Sequence, residues 1–331
     1  VIDSLTDVSK ANSIAESITG VFDGLLLETD DKKPQSFRDV AKNLVTTMQD
    51  KLNGKEDDHV ILSRCADLDK HTGGFNRTDL ITMGGLSGSG KTEFAVKIMR
   101  GIAKAGDGAL IFTMEMSNNQ VAERVVSGEA QLPVSYLRNP SFLEDSEKAP
   151  NGWDRVKAGL AGLIDKDIYM TDQTNLSIGQ IVAMSKRHKR DHPNLGAIFV
   201  DHIGLMDLGK SANGRHDLQV GEISKRLKSL AKEINTPVIL LTQLTGKQIM
   251  SRPVMEREPR AQDIKDSSRI EEDSDLILLC HRQWTHDESA PNIAEIILAK
   301  ARHAIKGTKV YYRFVNGHFE STDQAYAYNE M

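Results

Sequence analysis

A phosphate-binding loop is the clearest chemical signal in the sequence. Residues 85–92 are GLSGSGKT, which fits the pattern G-x-x-x-x-G-K-[ST] at every fixed position. Glycines let the backbone wrap closely around a phosphate, and the N–H groups and dipole of the following helix favour the anion. The lysine of such a loop contacts the β- and γ-phosphates, and the next hydroxyl binds Mg²⁺. We therefore expect a nucleoside triphosphate and Mg²⁺ at Gly85, Ser87, Gly88, Ser89, Gly90, Lys91 and Thr92.

Two carboxylates downstream could complete a site for triphosphate hydrolysis. Such a site needs an acid to hold the metal and a group that orients water. Asp201 ends the apolar run AIFVD, as the metal-binding acid should, although a strand-terminal aspartate can also simply cap a turn. The next residue is His202 rather than glutamate, so the base should come from an adjacent strand. Glu115 lies in the apolar stretch IFTMEM, where an acid is costly without a role, and we assign it as the base.

Another predicted strand, LLTQL, ends in the amide Gln243. This amide could merely satisfy a backbone group, or it could contact the γ-phosphate and relay its state to the following loop. Residues 245–262 form that loop, which is long, polar and basic. Long loops without secondary structure in compact domains are usually functional or disordered.

A late strand ends in a cluster of cations. Residues 294–307 are AEIILAKARHAIKG and include Lys300 and Arg302. These side chains could form a solvated strand end, bind DNA or point at a neighbouring molecule. The residues alone leave the three interpretations open.

Short apolar runs rich in Ile, Leu and Val must position these side chains. The predicted strands are 80–85, 109–116, 196–206, 237–244, 275–282 and 294–301, and helical patterns cover 92–105 and 220–234. Such an alternation is typical of an α/β fold with a mainly parallel central sheet covered by helices on both faces. Residues 309–321 predict a terminal hairpin in which Asn316 and Gly317 form a type I′ turn.

Composition limits the class of protein. The chain has 331 residues and the apolar and charged fractions of a soluble globular protein. It has no signal peptide, and its apolar runs are far shorter than the roughly 20 residues of a membrane span, so we expect no membrane partner. Two cysteines fit a reducing cytoplasm. The net charge of −5 excludes a protein that is basic all over but allows local basic patches, and therefore nucleic acid as a partner.

The first 55 residues are helical in pattern. Residues 36–54 form the clearest amphipathic helix, with apolar residues at i, i+3, i+4, i+7 and i+8. Ser36 and Asp39 resemble a capping box at its start. The apolar stripe could pack on the helix's own domain or on a neighbouring subunit, and we favour the neighbour. The chain opens at Val1 rather than Met, which indicates a fragment or a processed form.

In combination, these motifs resemble the DnaB-type replicative helicases. The segments that carry the resemblance follow that family's order and spacing: GLSGSGKTEFA, IFTMEMS, IFVDHIGLM, EISKRLKSLAKEINTPVILLTQL, DIKDSSRIEEDSDLILLCHR and ILAKAR. The resemblance implies a RecA-like ATPase core that works as a hexameric ring and moves 5′ to 3′ on single-stranded DNA. It also implies three regions: a helical remnant of an N-terminal domain at 1–33, a linker helix at 34–55 and the ATPase domain at 56–331.

The resemblance implies a role for each matching residue. The catalytic and metal-binding residues would be Lys91, Thr92, Glu115, Asp201, Gln243, Lys300 and Arg302. Lys91 and Thr92 match the phosphate lysine and the Mg²⁺ hydroxyl, and Gln243 matches the glutamine of the third helicase motif. Lys300 and Arg302 match a Lys-x-Arg pair that reaches into the ATP site of the neighbouring subunit. Because phosphoryl transfer gains from an arginine near the γ-phosphate, we expect efficient hydrolysis only in an assembly.

DNA contacts are expected in two loops. The resemblance matches DIKDSS, residues 263–268, to a channel loop that is D-L-R-E-S-G in relatives, with lysine and serine here replacing arginine and glycine. Residues 207–217 form either a mobile channel loop or an ordinary exposed connection. The candidate DNA contacts are Lys265, Asp266, Ser268, Lys210 and Arg215. Neither loop contains aromatic residues, so binding should be led by phosphate contacts, sensitive to salt and largely blind to sequence.

Two other functions fit parts of the pattern. A RecA-type recombinase would use the same core to coat DNA as a filament, but the helix at 36–54 and the late Lys-x-Arg pair favour a ring. A scaffold that binds ATP without a motor function would not need a complete hydrolytic set. The resemblance further implies assembly through the linker helix, a helicase loader and primase as partners, and the cytoplasm of a bacterial or phage-infected cell.

Overall fold

The computed structural model describes residues 34–55, 57–202, 204, 206, 216–265, 267–285 and 290–330. The predicted helical remnant at 1–33 and the candidate DNA contacts Lys210, Arg215 and Asp266 lie outside the described residues. The chain divides into two compact units, residues 1–57 and 58–331. No helix in the described ranges is long and apolar enough to cross a membrane.

The first unit contains the predicted amphipathic helix, α1 (Phe37–Leu52). Ser36 is its N-cap: the Ser36 hydroxyl oxygen accepts a hydrogen bond from the Asp39 N–H at 3.2 Å and donates one to the Asp39 carboxylate at 2.6 Å. None of the helix residues is buried, and the side chains of Phe37 and Leu52 are 87% and 88% exposed. The helix prediction is therefore confirmed, and its apolar stripe faces solvent in this chain.

The second unit alternates strands and helices. Its strands are β1 (Val60–Ile61), β2 (Phe75–Asn76), β3 (Leu80–Gly85), β4 (Gly108–Thr113), β5 (Ile168–Thr171), β6 (Leu195–Asp201), β7 (Val238–Gln243), β8 (Leu276–His281), β9 (Ile293–Ala301), β10 (Lys309–Val315) and β11 (His318–Ser321). Its helices are α2 (Ala66–Thr72), α3 (Lys91–Lys104), α4 (Asn118–Ala130), α5 (Val134–Arg138), α6 (Ser141–Glu144), α7 (Gly152–Ala161), α8 (Ile178–Asp191), α9 (His216–Ile234), α10 (Gly246–Met250), α11 (Ser267–Asp273) and α12 (Gln324–Glu330). Three short 3₁₀ turns lie at Val254–Glu256, Ala261–Asp263 and Gln283–Thr285.

One nine-stranded sheet organises the described part of this unit, in the order β11-β10-β9-β8-β3-β7-β6-β4-β5. The pairs formed among β3 to β8 are parallel, and the pairs β8-β9, β9-β10 and β10-β11 are antiparallel. Helix α3 packs Phe94 and Ile98 into the core on one face, and α9 packs Leu227 and Leu230 into the core on the other. The predicted α/β class with a mainly parallel sheet is confirmed, because the apolar strands are covered on both faces.

Strand direction defines two edges of the sheet. The carboxyl ends of β3, β4, β6 and β7 meet at one edge, where ligands bind in open α/β sheets. Strand β9 runs antiparallel to β8 and pairs Ala301 with Leu276, so Arg302 lies at the opposite edge, beside the start of β8. We call these edges the cavity edge and the finger edge.

Two local predictions meet different outcomes. The terminal hairpin is confirmed: Val315 pairs with His318, and Asn316 and Gly317 have φ angles of 54° and 87°, as a type I′ turn requires. The prediction of a structureless loop at 245–262 is wrong. Helix α10 and two 3₁₀ turns occupy it, and Arg252 pairs with the fully buried carboxylate of Asp263. That buried ion pair holds the segment in a regular structure, which its polar composition did not indicate.

Candidate active site

The phosphate-binding loop joins β3 to α3 at the cavity edge. Gly88 and Gly90 have φ angles of 78° and 90°, which favour glycine. A Cβ on Gly90 would also lie 2.8 Å from the ring of Phe319, so both the backbone angle and the space require glycine there. Gly90 is the N-cap of α3 and has no side chain to cap the helix. The first N–H groups of α3 are thus available to a phosphate.

Asp201 and Thr92, the two residues predicted to hold the metal, lie together in the structure. The Thr92 hydroxyl donates a hydrogen bond to Asp201 Oδ2 at 3.1 Å. Asp201 is 1% exposed, and burial raises the pKa of its carboxyl against the opposing effects of Lys91 and Thr92. The other oxygen, Asp201 Oδ1, is buried and has no hydrogen-bond partner among the described residues. A buried, unpaired carboxylate oxygen beside a hydroxyl fits a hard cation such as Mg²⁺.

Glu115 lies just beyond the end of β4. The strand stops at Thr113, whose hydroxyl contacts the backbone of Met116 and holds a tight turn. The side chain of Glu115 is 49% exposed, so the expectation of an acid embedded in a strand is wrong. Its Oε2 lies 3.1 Å from His202 Nδ1. The turn presents the carboxylate to the space in front of the phosphate loop.

A cavity of about 550 Å³ brings most of the predicted residues together. Its lining includes Ser87, Gly88, Gly90, Lys91, Thr92, Glu115 and Gln243. Asp201 joins them through its hydrogen bond to Thr92. The side of the loop that faces away from the cavity contains Gly85 and Ser89. Ser89 is 1% exposed, and a Cβ on Gly85 would lie 2.3 Å from the hydroxyl oxygen of Ser89.

Sequence reasoning missed a cation and an aromatic ring in this cavity. The guanidinium carbon of Arg282 lies 3.7 Å from the centre of the Phe314 ring, within the range of a cation–π contact. Arg282 also donates hydrogen bonds to the carbonyl oxygen of Gly88 at 3.2 Å and to the Asn292 side chain at 3.0 Å. Burial lowers the pKa of Arg282. Its position directly after β8, the strand next to β3, was the available signal.

Arg124 and Arg138 add two further cations to the lining. Arg124 lies on α4, which begins with a reciprocal capping box between Ser117 and Gln120. One guanidinium nitrogen of Arg124 lies 3.5 Å from Glu93 Oε2. Three arginines therefore line the cavity together with Lys91, and none of them belongs to the site residues that the sequence predicted.

Lys300 and Arg302 do not join the cavity of their own chain. Arg302 Nε lies 3.1 Å from Asp275 Oδ1 at the finger edge, and the Lys300 ammonium donates to the backbone carbonyls of Glu271 and Glu272. Asp275 also accepts a hydrogen bond from the N–H of Leu80, the first residue of β3. The five steps from Leu80 to Gly85 along β3 separate the two edges by about 16 Å, at roughly 3.3 Å per step.

The candidate DNA loop begins at the cavity edge. The Lys265 N–H donates to the carbonyl oxygen of Gln243 at 3.3 Å, and Ile264 forms a β-bridge with Leu244. Lys265 itself is exposed, and Ser268 lies in α11. The backbone thus connects the end of β7 directly to the predicted loop, whereas DNA contact by Lys265 and Ser268 stays a prediction.

Comparison with known proteins defines the family. Residues 61–321 match the model described as DnaB-like helicase C terminal domain. The chain belongs to this family. It is 32% identical over 295 residues to replicative DNA helicase DnaC of Bacillus subtilis, covering 85% of this chain and 62% of that protein. It is 34% identical over 263 residues to replicative DNA helicase DnaB of Geobacillus stearothermophilus, covering 76% and 55%.

Solved structures share the fold of this DnaB-like domain. One of them, described as an ATPase domain, superimposes with a TM-score of 0.74 at 23% identity, covering 89% of this chain and all of that one. A DnaB-like replicative helicase described with its interactions with primase also gives 0.74, at 22% identity, covering 94% and 72%. The predicted RecA-like core is thereby confirmed. The chain spans about three-fifths or less of the length of the two curated relatives.

Proposed function

We propose that this chain is the ATP-driven motor of a replicative DNA helicase that encircles single-stranded DNA as a hexameric ring and moves 5′ to 3′. The observation that carries the proposal is the convergence of Lys91, Thr92, Glu115 and Gln243 on one cavity, with Asp201 bound to Thr92. Relatives at 32% and 34% identity are named replicative DNA helicases.

ATP hydrolysis follows from the placement of these groups. The N-terminus of α3 and Lys91 hold the phosphates, and Thr92 and Asp201 would hold Mg²⁺. When bound, Mg²⁺ neutralises charge that develops on the β- and γ-phosphates. Glu115 takes a proton from a water molecule whose oxygen attacks the γ-phosphorus, and the bond to the β-phosphate oxygen breaks. Gln243 lies in the lining and contacts the γ-phosphate through its amide.

Arg282 and Phe314 hold the nucleotide base. The planar guanidinium and the aromatic ring both line the cavity, and Arg282 also contacts the phosphate loop through Gly88. A base stacks well on either surface. This assignment supplies the adenine site that the motifs had left unassigned.

A second copy supplies the arginine for charge stabilisation. Arg302 is 53% exposed and lies about 16 Å from its own phosphate loop, so within the chain it cannot contact the γ-phosphate. An arginine offered in trans stabilises the transition-state charge. The finger edge of one subunit therefore faces the cavity edge of the next, with Lys300 beside Arg302.

Two exposed apolar stripes support assembly. One is the apolar stripe of α1, a helix in which no residue is buried. The other lies on and just after α7, where Trp153, Leu160 and Ile164 are 42%, 40% and 73% exposed. Trp153 and Leu160 are seven residues apart on α7 and therefore lie on one helical face, and Ile164 follows in the turn after the helix. We assign the α7 stripe as the surface that receives α1 of a neighbouring copy.

Hydrolysis moves DNA through the link between Gln243 and Lys265. A change at the γ-phosphate shifts Gln243, and the hydrogen bond from the Lys265 N–H transmits the shift to the loop. The loop binds DNA phosphates through Lys265 and its neighbours. A helicase loader and primase are proposed as partners, in line with the relative described with its interactions with primase.

The experiment is a measurement of ATP hydrolysis and fork unwinding with and without single-stranded DNA. Wild type should hydrolyse ATP faster with DNA and unwind a fork that carries a 5′ tail, whereas Lys91→Ala should do neither. Unstimulated hydrolysis without unwinding would contradict the helicase assignment. Electron microscopy with ATP and DNA distinguishes the alternative: filaments rather than closed rings would favour a recombinase.

A further inference from the structure

A cluster of three side chains beside the phosphate loop has ligand atoms that point at one place. Glu115, Asp201 and His202 each offer one ligand atom, and all three atoms lie within 4.8 Å of one another. His202 Nδ1 lies 3.1 Å from Glu115 Oε2 and 4.0 Å from Asp201 Oδ1. Two ligands of one transition-metal ion lie roughly 3.0–4.2 Å apart when each bond is about 2.1 Å long. The two measured distances fall in that range.

One of these atoms is buried without a partner, and a second is buried with one close contact. Asp201 and His202 are 1% and 8% exposed. Asp201 Oδ1 has no hydrogen-bond partner in the described part of the chain, and His202 Nδ1 lies 3.1 Å from Glu115 Oε2. Buried polar atoms of this kind are rare and call for an explanation such as an ion. Asp201 uses its other oxygen, Oδ2, for Thr92, so Oδ1, the oxygen that also suits Mg²⁺, is the one that lies 4.0 Å from His202 Nδ1, and a transition-metal ion there would compete with Mg²⁺.

The ligand chemistry selects the class of ion. Mg²⁺ prefers oxygen ligands in a strict octahedron and dehydrates reluctantly. An imidazole nitrogen with two carboxylate oxygens suits borderline ions such as Zn²⁺ and Co²⁺. We propose that Glu115, Asp201 and His202 form an inhibitory site for a divalent transition-metal ion of the Zn²⁺ and Co²⁺ class.

Inhibition follows from the role of Glu115. A metal ion bound to one oxygen of the Glu115 carboxylate stabilises the anion, so the carboxylate becomes a much poorer acceptor for the proton of the attacking water. This consequence rests on the proposed function, in which Glu115 is the base, whereas ion binding does not. The site therefore lets a trace transition metal stop hydrolysis although Mg²⁺ is present in excess.

The binding test uses Co²⁺ as the probe, without nucleotide. Co²⁺ is titrated into wild type, His202→Phe, His202→Asn and the control His71→Phe, whose imidazole is exposed on α2. The visible absorption of bound Co²⁺ reports affinity, and circular dichroism verifies folding. Wild type and the control should bind alike, and His202→Phe should bind at least about tenfold more weakly, since even residues that only orient a ligand cost roughly 10- to 100-fold when removed. Equal affinity in wild type and both His202 variants overturns the proposal.

The inhibition test measures ATP hydrolysis in excess Mg²⁺ as Zn²⁺ is added. Each variant is compared with its own rate without Zn²⁺. The Zn²⁺ concentration that halves the rate should rise at least about tenfold in His202→Phe or His202→Asn and stay unchanged in His71→Phe. Equal sensitivity of all four proteins overturns inhibition through this site. A wild type that does not hydrolyse ATP with Mg²⁺ alone contradicts the proposed function instead, and the Co²⁺ titration still decides the ion site.

Discussion

The cavity edge and the finger edge of the sheet carry the same kinds of side chain in different arrangements. At the cavity edge, Lys91 is 8% exposed and the phosphate loop presents its N–H groups to an open cavity of about 550 Å³. At the finger edge, Arg302 is paired with Asp275, and Lys300 donates to two backbone carbonyls. One edge is prepared to receive an anion, and the cations of the other are already paired.

This difference between the two edges shows why, in our proposal, one chain contains the phosphate loop but does not bring Arg302 to it. Asp275 is 3% exposed and also binds Lys228 and the first residue of β3. Through Asp275, Arg302 is therefore anchored to the same strand that ends in the phosphate loop. Because the strand separates the two edges, we propose that the two half-sites combine between copies.

The largest effect should come from the finger edge. Arg302→Ala should lower the rate of DNA-stimulated ATP hydrolysis by about 10³- to 10⁵-fold, because the transition state loses its arginine. Lys306→Ala, which removes an exposed cation from the following turn, is the matched control and should leave the rate near that of wild type. Steady-state kinetics measure both.

Mixed assemblies of two variants test whether the two edges of neighbouring subunits share one active site. Arg302→Ala subunits keep Lys91, and Lys91→Ala subunits keep Arg302. Mixed assemblies should regain part of the activity because some interfaces combine both intact residues. If mixtures remain as inactive as the separate variants, the two edges do not share a site.

Glu115→Gln tests the cavity edge alone. The substitution keeps the shape but removes the base, so the turnover number should fall by about 10²- to 10⁴-fold. ATP affinity, measured with a fluorescent analogue, should change little, since the phosphate loop is intact. A large loss of affinity with normal turnover would make Glu115 a binding residue rather than the base.

Phe314→Ala tests the base site at the same edge. Stacking of a base on an aromatic ring contributes about 1–3 kcal/mol, so the dissociation constant for ATP should rise by about tenfold or more. Affinity for inorganic triphosphate, which has no base, should stay the same. Equal losses for both ligands would indicate damage to the phosphate loop.

The smallest expected effect concerns the labelling of the two cysteines. Cys280 pairs with Gly85 at the cavity edge. Burial raises the pKa of Cys280 to about 12 and that of Cys65 to about 11. Only the thiolate reacts with iodoacetamide, and a raised pKa keeps the thiol protonated until the pH approaches that value. At pH 8, mass spectrometry should find both cysteines unlabelled in the folded chain and labelled in guanidinium chloride. Fast labelling of Cys280 alone would reveal an open cavity edge.

Local patterns predicted most of the cavity edge. The glycine and lysine spacing indicated the phosphate loop, and the polar residues that end β6 and β7 indicated Asp201 and Gln243. These signals work because carboxyl ends of parallel strands meet at one edge. Local patterns did not predict Arg282 and Phe314, whose contact depends on the antiparallel order of β8, β9 and β10.

Side-chain environment was harder to predict than position. Glu115 was expected inside a strand, but β4 ends two residues earlier and leaves its carboxylate half-exposed. Loop 245–262 was expected to be irregular, yet Arg252 reaches the buried Asp263 and orders it. Both outcomes depend on contacts distant in sequence, which periodicity does not report.

The separation of the two edges has a consequence for symmetry. If one edge of each subunit binds the opposite edge of the next, the contact is head-to-tail, and two subunits in contact are not related by a two-fold axis. Such a contact closes as a ring when its rotation divides a full turn evenly, and otherwise continues as a helix. Ring and filament then differ by a small change of angle at one interface. The rigid β3, which keeps Arg302 away from its own cavity, makes this chain a directional building unit.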